Sequence, residues 1–271
     1  MSFSLQDCTA IITGASSGLG AEFARQLAAK ARCLVLVARR AEVLEVVKTE
    51  LLGLNPALDV RLVSADLGQA DGRTKMIETI WESGLRPNLL INNAGLGDYG
   101  SLAGATAERL TQQIEVNISA VVLLTHALLP LLKEQAPAGI INISSLASTL
   151  PMPDLAVYAA SKAFVTSFSE ALTVELAADG IQVTCVCPGP TPTQFSQTAR
   201  RADGTDTDRS GQGLLRIPPQ QVVAEALNAL GKGRACVFPG LGVSLAGPLF
   251  RMMPRGLMRW MLRRRFAKAK L

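Results

Sequence analysis

Apolar runs alternate with helix-period segments from the first residues onward, and few folds accept that alternation. Thr9–Thr13, Cys33–Ala38, Asp59–Ser64, Asn88–Asn92, Gly139–Ser144 and Ile181–Cys187 read as strands, several of them apolar at consecutive positions. Between them, Gly18–Lys30, Ala41–Gly53, Gly72–Ser83, Thr106–Glu134 and Ala156–Asp179 read as helices. Strands too apolar to leave one face wet, separated by helices, require a parallel sheet covered on both sides. Pro219 opens a further helix pattern to about Leu230, and Ala235–Phe238 reads as a short seventh strand. The expected architecture is therefore α/β and doubly wound, with seven parallel strands over residues 1–240 and a helical C-terminal extension over 241–271. Residues 192–217, rich in Pro, Gly, Thr, Asp and Arg with little periodicity, are expected to form a mobile loop.

The 271 residues suffice for one large domain, and a content of 48% hydrophobic and 18% charged residues excludes a disordered or fibrous chain. The net charge of +5 misleads as an average. Eight of the 27 basic residues and none of the 22 acidic ones lie in 251–271, which leaves the preceding 250 residues at −3. The body gives no reason to expect nucleic acid. The five cysteines are scattered, with only Cys185 and Cys187 close and on one face of a strand. They suggest no disulfide frame and, with His126 alone in a leucine-rich helix, no metal site, so the thiols read as reduced and the protein as cytoplasmic. Met1–Asp7 carries no basic n-region, and the uncharged run Ala235–Phe250 is broken by Pro239, Gly240, Gly242, Gly247 and Pro248. Neither a signal peptide nor a transmembrane helix is expected.

The first strand runs into Thr13-Gly14-Ala15-Ser16-Ser17-Gly18-Leu19-Gly20 and then directly into a helix. Glycines let the backbone turn tightly and a pyrophosphate approach its amides, and the helix N-terminus adds partial positive charge. The bland alternative is a tight βα turn. A ribose-binding carboxylate belongs at the end of the second strand, but here the strand ends Val37-Ala38-Arg39-Arg40. A guanidinium there offers nothing to a free 2′-hydroxyl and pairs with a 2′-phosphate, which favours NADP; otherwise both arginines are solvated helix-start residues. Tyr158 and Lys162 stand four apart on one helix face, with Ser145 thirteen residues upstream at the end of the fifth strand. Together they make a carbonyl-reducing site: serine holds the oxygen, tyrosine gives the proton, lysine lowers the tyrosine pKa.

These residues, with Asn92-Asn93-Ala94-Gly95, Asn117 and Pro188-Gly189, resemble the short-chain dehydrogenase/reductase family in order and spacing over about residues 5–240. Val-Ala-Arg-Arg, Cys-Pro-Gly-Pro-Thr and the basic apolar tail are similar to an NADP-dependent bacterial branch related to the 11β-hydroxysteroid dehydrogenases. The resemblance implies a Rossmann fold, a ketone or secondary alcohol as substrate, and a homodimer or homotetramer. It makes Tyr158 the proton donor, Lys162 also a ligand of the nicotinamide ribose, Ser145 the substrate-orienting group and Asn117 the holder of a proton-relay water. Gly14, Ser16, Ser17, Gly18, Leu19 and Gly20 would cradle the pyrophosphate, and Arg39 and Arg40 the 2′-phosphate. Asp66 with Leu67 would reach adenine, and Asn93, Ala94 and Gly95 would line the ribose side. Pro188, Gly189, Thr191 and Thr193 would hold the nicotinamide amide. Two positions depart from the family pattern: Thr191-Pro192, which weakens the contact assigned to Thr193, and Ser17, where some NADP enzymes carry a basic residue.

Two other classes compete with an oxidoreductase: a dinucleotide-binding regulatory protein without turnover, and a peripheral membrane scaffold. The set Asn117, Ser145, Tyr158 and Lys162 argues against the first, since a sensor needs no proton donor. The second rests on the tail, where Arg251, Arg255, Arg259 and Arg263 interleave with Phe250, Met253, Leu257, Trp260 and Met261 in an amphipathic pattern. Such a helix either packs on the body or a second subunit or lies on an anionic membrane. The tail methionines have no part in the catalytic scheme.

Overall fold

The computed structural model describes residues 3–199 and 215–268. Strands β1 (Thr9–Thr13), β2 (Cys33–Ala38), β3 (Asp59–Ser64), β4 (Leu89–Asn92), β5 (Ala138–Ile143), β6 (Ile181–Val186) and β7 (Cys236–Val237) form one parallel sheet in the order β3-β2-β1-β4-β5-β6-β7. The chain winds outward from β1 in one direction and from β4 in the other. The crevice beyond the carboxyl ends of β1 and β4 is thus the switch point where such sheets bind ligands.

Every residue of β1, β2, β4 and β5 is buried, the outcome that consecutive apolar residues demanded. Side chains of β1 alternate between the two layers. Ala10 and Ile12 pack with Phe23 and Leu27 of α1 (Gly18–Leu27), Leu44 of α2 (Ala41–Leu54) and Leu230 of α8 (Pro219–Gly231), counting helices in chain order. Ile11 faces the other way, among Met76 of α3 (Ala70–Glu82), Leu124 and Leu128 of α5 (Ala120–Glu134) and Leu172 of α6 (Ala156–Glu175). Large aliphatic side chains at these positions each contribute roughly 1.5–3 kcal/mol through burial, so either layer alone would leave the sheet half unsupported.

The segment expected as one helix over Thr106–Glu134 is α4 (Ala107–Ile114) and α5 joined through a π turn at Glu115–Ser119. By length and composition alone, Ala107–Glu134 could cross a membrane. In this fold it is a core helix: Leu124, Leu128, Leu131 and Leu132 are buried against the sheet. The tail, read as a single amphipathic stretch, is two helices, α9 (Leu241–Met252) and α10 (Arg255–Lys268). They part at Met253, which takes φ −66 and ψ 128 ahead of Pro254, because proline disfavours a helical residue before it. A last short helix, α7 (Phe195–Thr198), follows β6.

Candidate active site

At the switch point the glycine-rich turn is held from both sides. Gly14 and Gly18 adopt φ of 65 and 56, a region open to glycine without strain. A Cβ on Gly14 would lie 2.9 Å from the Ala94 Cα, and one on Gly20 would sit on the Gly14 carbonyl. The Asn93 side-chain amide donates to the carbonyls of Thr13 (2.8 Å) and Gly14 (3.2 Å), while Thr13 Oγ1 accepts from the backbone N–H of Asn93 and Ala94 at 2.9 and 3.0 Å. Asn93 therefore clamps the turn to the end of β4. Ser17, the residue before α1, makes no side-chain cap, and no acid stands in the first turn of α1. The helix start thus keeps its positive partial charge and inward N–H groups for an anion.

A cavity of about 880 Å³ opens over this turn, large enough for a dinucleotide beside a substrate. Gly14, Ser16, Ser17, Gly18 and Leu19 line it, with Arg39, Arg40, Asp66, Leu67, Asn93, Ala94 and Gly95, and further along Ser145, Tyr158, Lys162, Pro188, Gly189, Thr191 and Thr193. Of the residues singled out from sequence, Gly20 and Asn117 stand behind this wall. Arg39 and Arg40 are exposed at the end of β2. Asp66 accepts a hydrogen bond from the Gly68 N–H at 3.0 Å. These features fit a nicotinamide dinucleotide: an open helix N-terminus for pyrophosphate, a glycine floor with no room for Cβ atoms, and two exposed guanidinium groups at the end of β2.

Ser145 stands two residues past the end of β5 and caps the 3₁₀ turn Leu146–Thr149, its Oγ accepting from the Ala147 N–H at 3.1 Å. On α6, Lys162 is 4% exposed, and its Nζ donates to the Ile143 carbonyl at 2.9 Å and lies 5.8 Å from the centre of the Tyr158 ring. Burial pushes the Lys162 pKa down to about 8, opposed in part by the thiols of Cys185 and Cys187. The Tyr158 ring packs at 5.5 Å against Phe195 of α7. Asn117 sits in the π turn, a common location for functional residues. Its Oδ1 accepts from the Leu96 N–H (2.8 Å), and its Nδ2 donates to the Leu96 carbonyl (2.9 Å) and to Ser161 Oγ (3.0 Å).

Several roles escaped the sequence reading. Ser161, adjacent to Lys162, anchors Asn117. Asn92 donates to Asn142 Oδ1 at 2.8 Å and to Thr125 at 3.0 Å, and Asn142 donates to Ser169 at 2.9 Å, a buried polar seam tying α5 and α6 to β4 and β5. Its only signal was asparagine inside otherwise apolar strands. Cys236 brings a third thiol beside Cys185 and Cys187, with sulfur separations of 3.8 Å between Cys185 and Cys187 and 4.0 Å between Cys187 and Cys236. The tail methionines, outside the catalytic scheme, border the site all the same: Met253, Met258 and Met261 line the cavity with Phe250 and Leu262. The expected mobile loop 192–217 lies largely outside the described residues. Its described ends, α7 and Leu215–Arg216, border the cavity.

The fold and this site define a nicotinamide-type oxidoreductase scaffold, and the comparisons name it. The family described as short chain dehydrogenase matches residues 8–204, and the chain belongs to the short-chain dehydrogenase/reductase family. It is 34% identical over 227 residues, 82% of this chain and 87% of the relative, to a sulfoacetaldehyde reductase of Chromohalobacter salexigens. Among solved structures it resembles a short-chain dehydrogenase from Sphingobium yanoikuyae in complex with NADPH (TM-score 0.77, 29% identity, covering 93% of this chain and 95% of that one). It also resembles a bulky-bulky ketone specific alcohol dehydrogenase from Comamonas testosteroni (TM-score 0.74, 28% identity, covering 93% and 94%).

Proposed function

We propose that the chain is an NADP(H)-dependent oxidoreductase that interconverts a bulky apolar ketone and its secondary alcohol. The observation that carries this reading is the buried Lys162 ammonium beneath Tyr158, with Ser145 in the same cavity wall. The bound nicotinamide supplies or accepts the hydride. Ser145 Oγ donates to the substrate oxygen, Tyr158 Oη delivers the proton, and Lys162 favours the phenolate that remains. Asn117 has both side-chain polar atoms engaged by Leu96 and Ser161. Its side chain therefore positions the segment around Lys162, and a relay water would be held by the π-turn backbone. The far wall, with Leu150, Met152, Leu155, Phe195, Phe250 and Met258, favours an apolar substrate over a small charged one. Incubation with NADPH and a ketone panel, followed at the absorbance of the reduced nicotinamide, tests the reading. NADPH binding with no ketone consumed would favour a regulatory protein instead.

NADPH is expected to bind better than NADH because Arg39 and Arg40 stand where a ribose-binding carboxylate would. A charge-assisted contact is worth roughly 1.5–3 kcal/mol, or about 10- to 150-fold in affinity. Arg39→Ala should remove most of this preference while leaving NADH binding unchanged. Equal dissociation constants in the wild-type protein would refute it. A homo-oligomer in the cytoplasm also belongs to this reading, supported by Leu123 of α5 and Phe164 and Val174 of α6, which are 45%, 41% and 79% exposed. Light scattering should give a multiple of 28.7 kDa at micromolar concentration, and a single-chain mass would count against it.

A further inference from the structure

Helices α9 and α10 carry an apolar face that no described residue covers. On α9, Leu241, Leu245, Leu249 and Met252 fall at helical spacing on one stripe and are between 62% and 87% exposed. Its opposite side, with Val243 and Gly247, is buried, and Gly247 lies against the Phe238 ring. On α10, Met258 turns inward at 4% exposure while Leu257, Trp260 and Met261 stay 48–50% exposed. Arg255, Arg259, Arg263 and Arg264 are exposed on the same helix, and the Arg264 guanidinium lies 4.0 Å over the Trp260 ring. Residues 251–271 contain eight cations and no acid.

Charge decides what covers this face. A two-fold contact would lay the patch on itself and press the cations of one copy against those of the other. An anionic bilayer suits both features: apolar side chains enter the acyl boundary, arginines meet phosphates, and tryptophan favours the interface between. We propose that α9 and α10 dock the protein on the surface of a bilayer rich in anionic phospholipid. Met261 belongs both to the exposed face and to the cavity lining, so docking sets the cavity rim beside the lipid. If the reading under Proposed function holds, on which this last step rests, an apolar ketone dissolved in the membrane reaches Tyr158 without crossing bulk water.

The test uses the full chain with vesicles of phosphatidylcholine alone or mixed in equal parts with phosphatidylglycerol. Sedimentation is expected with the mixed vesicles, weakening with salt, and much less with phosphatidylcholine alone. Arg255→Gln with Arg259→Gln should lower the partition coefficient about 20- to 30-fold, at roughly fivefold per charge. Leu245→Ser with Leu249→Ser, at exposed positions that leave the fold intact, should also release the protein. In a Trp81→Phe background, Trp260 emission should shift to the blue on mixed vesicles. No sedimentation with either vesicle overturns the proposal. So does a drop in solution mass for the Leu245→Ser/Leu249→Ser variant without lipid, which would assign the face to a second copy. None of these readouts requires turnover: reduction of a soluble ketone without vesicle binding defeats the docking alone, and vesicle binding without NADPH-dependent reduction defeats the activity reading alone.

Discussion

Tyr158→Phe is expected to lower ketone turnover by ~10²–10⁴-fold, the usual contribution of a positioned general acid. The same variant should bind NADPH nearly as well as the wild type. The aromatic ring, packed at 5.5 Å against Phe195, is kept, and Lys162 is held by the Ile143 carbonyl whatever stands at position 158. Only the hydroxyl is lost, and with it the proton. Stopped-flow turnover under saturating NADPH, with the dissociation constant from nicotinamide fluorescence, separates the two effects. Ser145→Ala serves as the comparison, because it removes a hydrogen bond to the substrate oxygen but leaves the proton donor in place. A Tyr158→Phe enzyme keeping more than about half of wild-type turnover would mean that the proton comes from elsewhere.

The doubly wound sheet was legible because each of its signals is local. Consecutive apolar residues mark a strand buried on both faces, helical periods mark the crossovers, and a glycine-rich turn marks the switch point. Ser145, Tyr158 and Lys162 were legible from spacing, since strand ends and helix faces turn sequence separation into position. What stayed hidden depends on contacts distant in sequence. Thr106–Glu134 read as one unbroken helix, so the lodging of Asn117 in a π turn between Leu96 and Ser161 was not foreseen. Asn93 looked like a cavity residue, and it does border the cavity. Its side-chain amide, however, holds the carbonyls of Thr13 and Gly14, a pairing that exists only once β1 and β4 are neighbours. Cys236 joins Cys185 because β7 pairs with β6 in a register that places the two side by side. The tail was ambiguous between packing on the body and facing a surface, and it divides the work: Met258 and Leu262 turn toward the cavity, Leu257 and Trp260 remain outside, and Met261 borders both.

Lys162→Met should cut turnover about 10²-fold or more and yet remove a pH-dependent burden on the fold. The Lys162 ammonium is 4% exposed, and burial lowers its pKa from the ordinary 10.5 to about 8. With rising pH the folded chain releases this proton near 8, whereas the unfolded chain keeps it to 10.5. Between those values the unfolded state binds more protons, so wild-type stability rises with pH across that window through this group. Below about 8 the cost of the buried charge is fully present, and a shift from 10.5 to about 8 corresponds to roughly 3 kcal/mol. Methionine matches the unbranched stem without the charge, but it leaves the Ile143 carbonyl without its donor, a cost of about 1–3 kcal/mol. That second cost is the same at every pH. The stability difference between variant and wild type therefore isolates the ammonium: it should move in the wild type's favour by about 3 kcal/mol from pH 8 to 10.5, measured by urea unfolding of the cofactor-free proteins. A difference flat over that range would show that Lys162 is not held as a buried cation. Turnover of the variant should fall about 10²-fold or more below pH 8, where the wild type keeps the ammonium beside the Tyr158 phenolate. The buried charge that costs the fold stability at neutral pH is then the one that lets the tyrosine give up its proton.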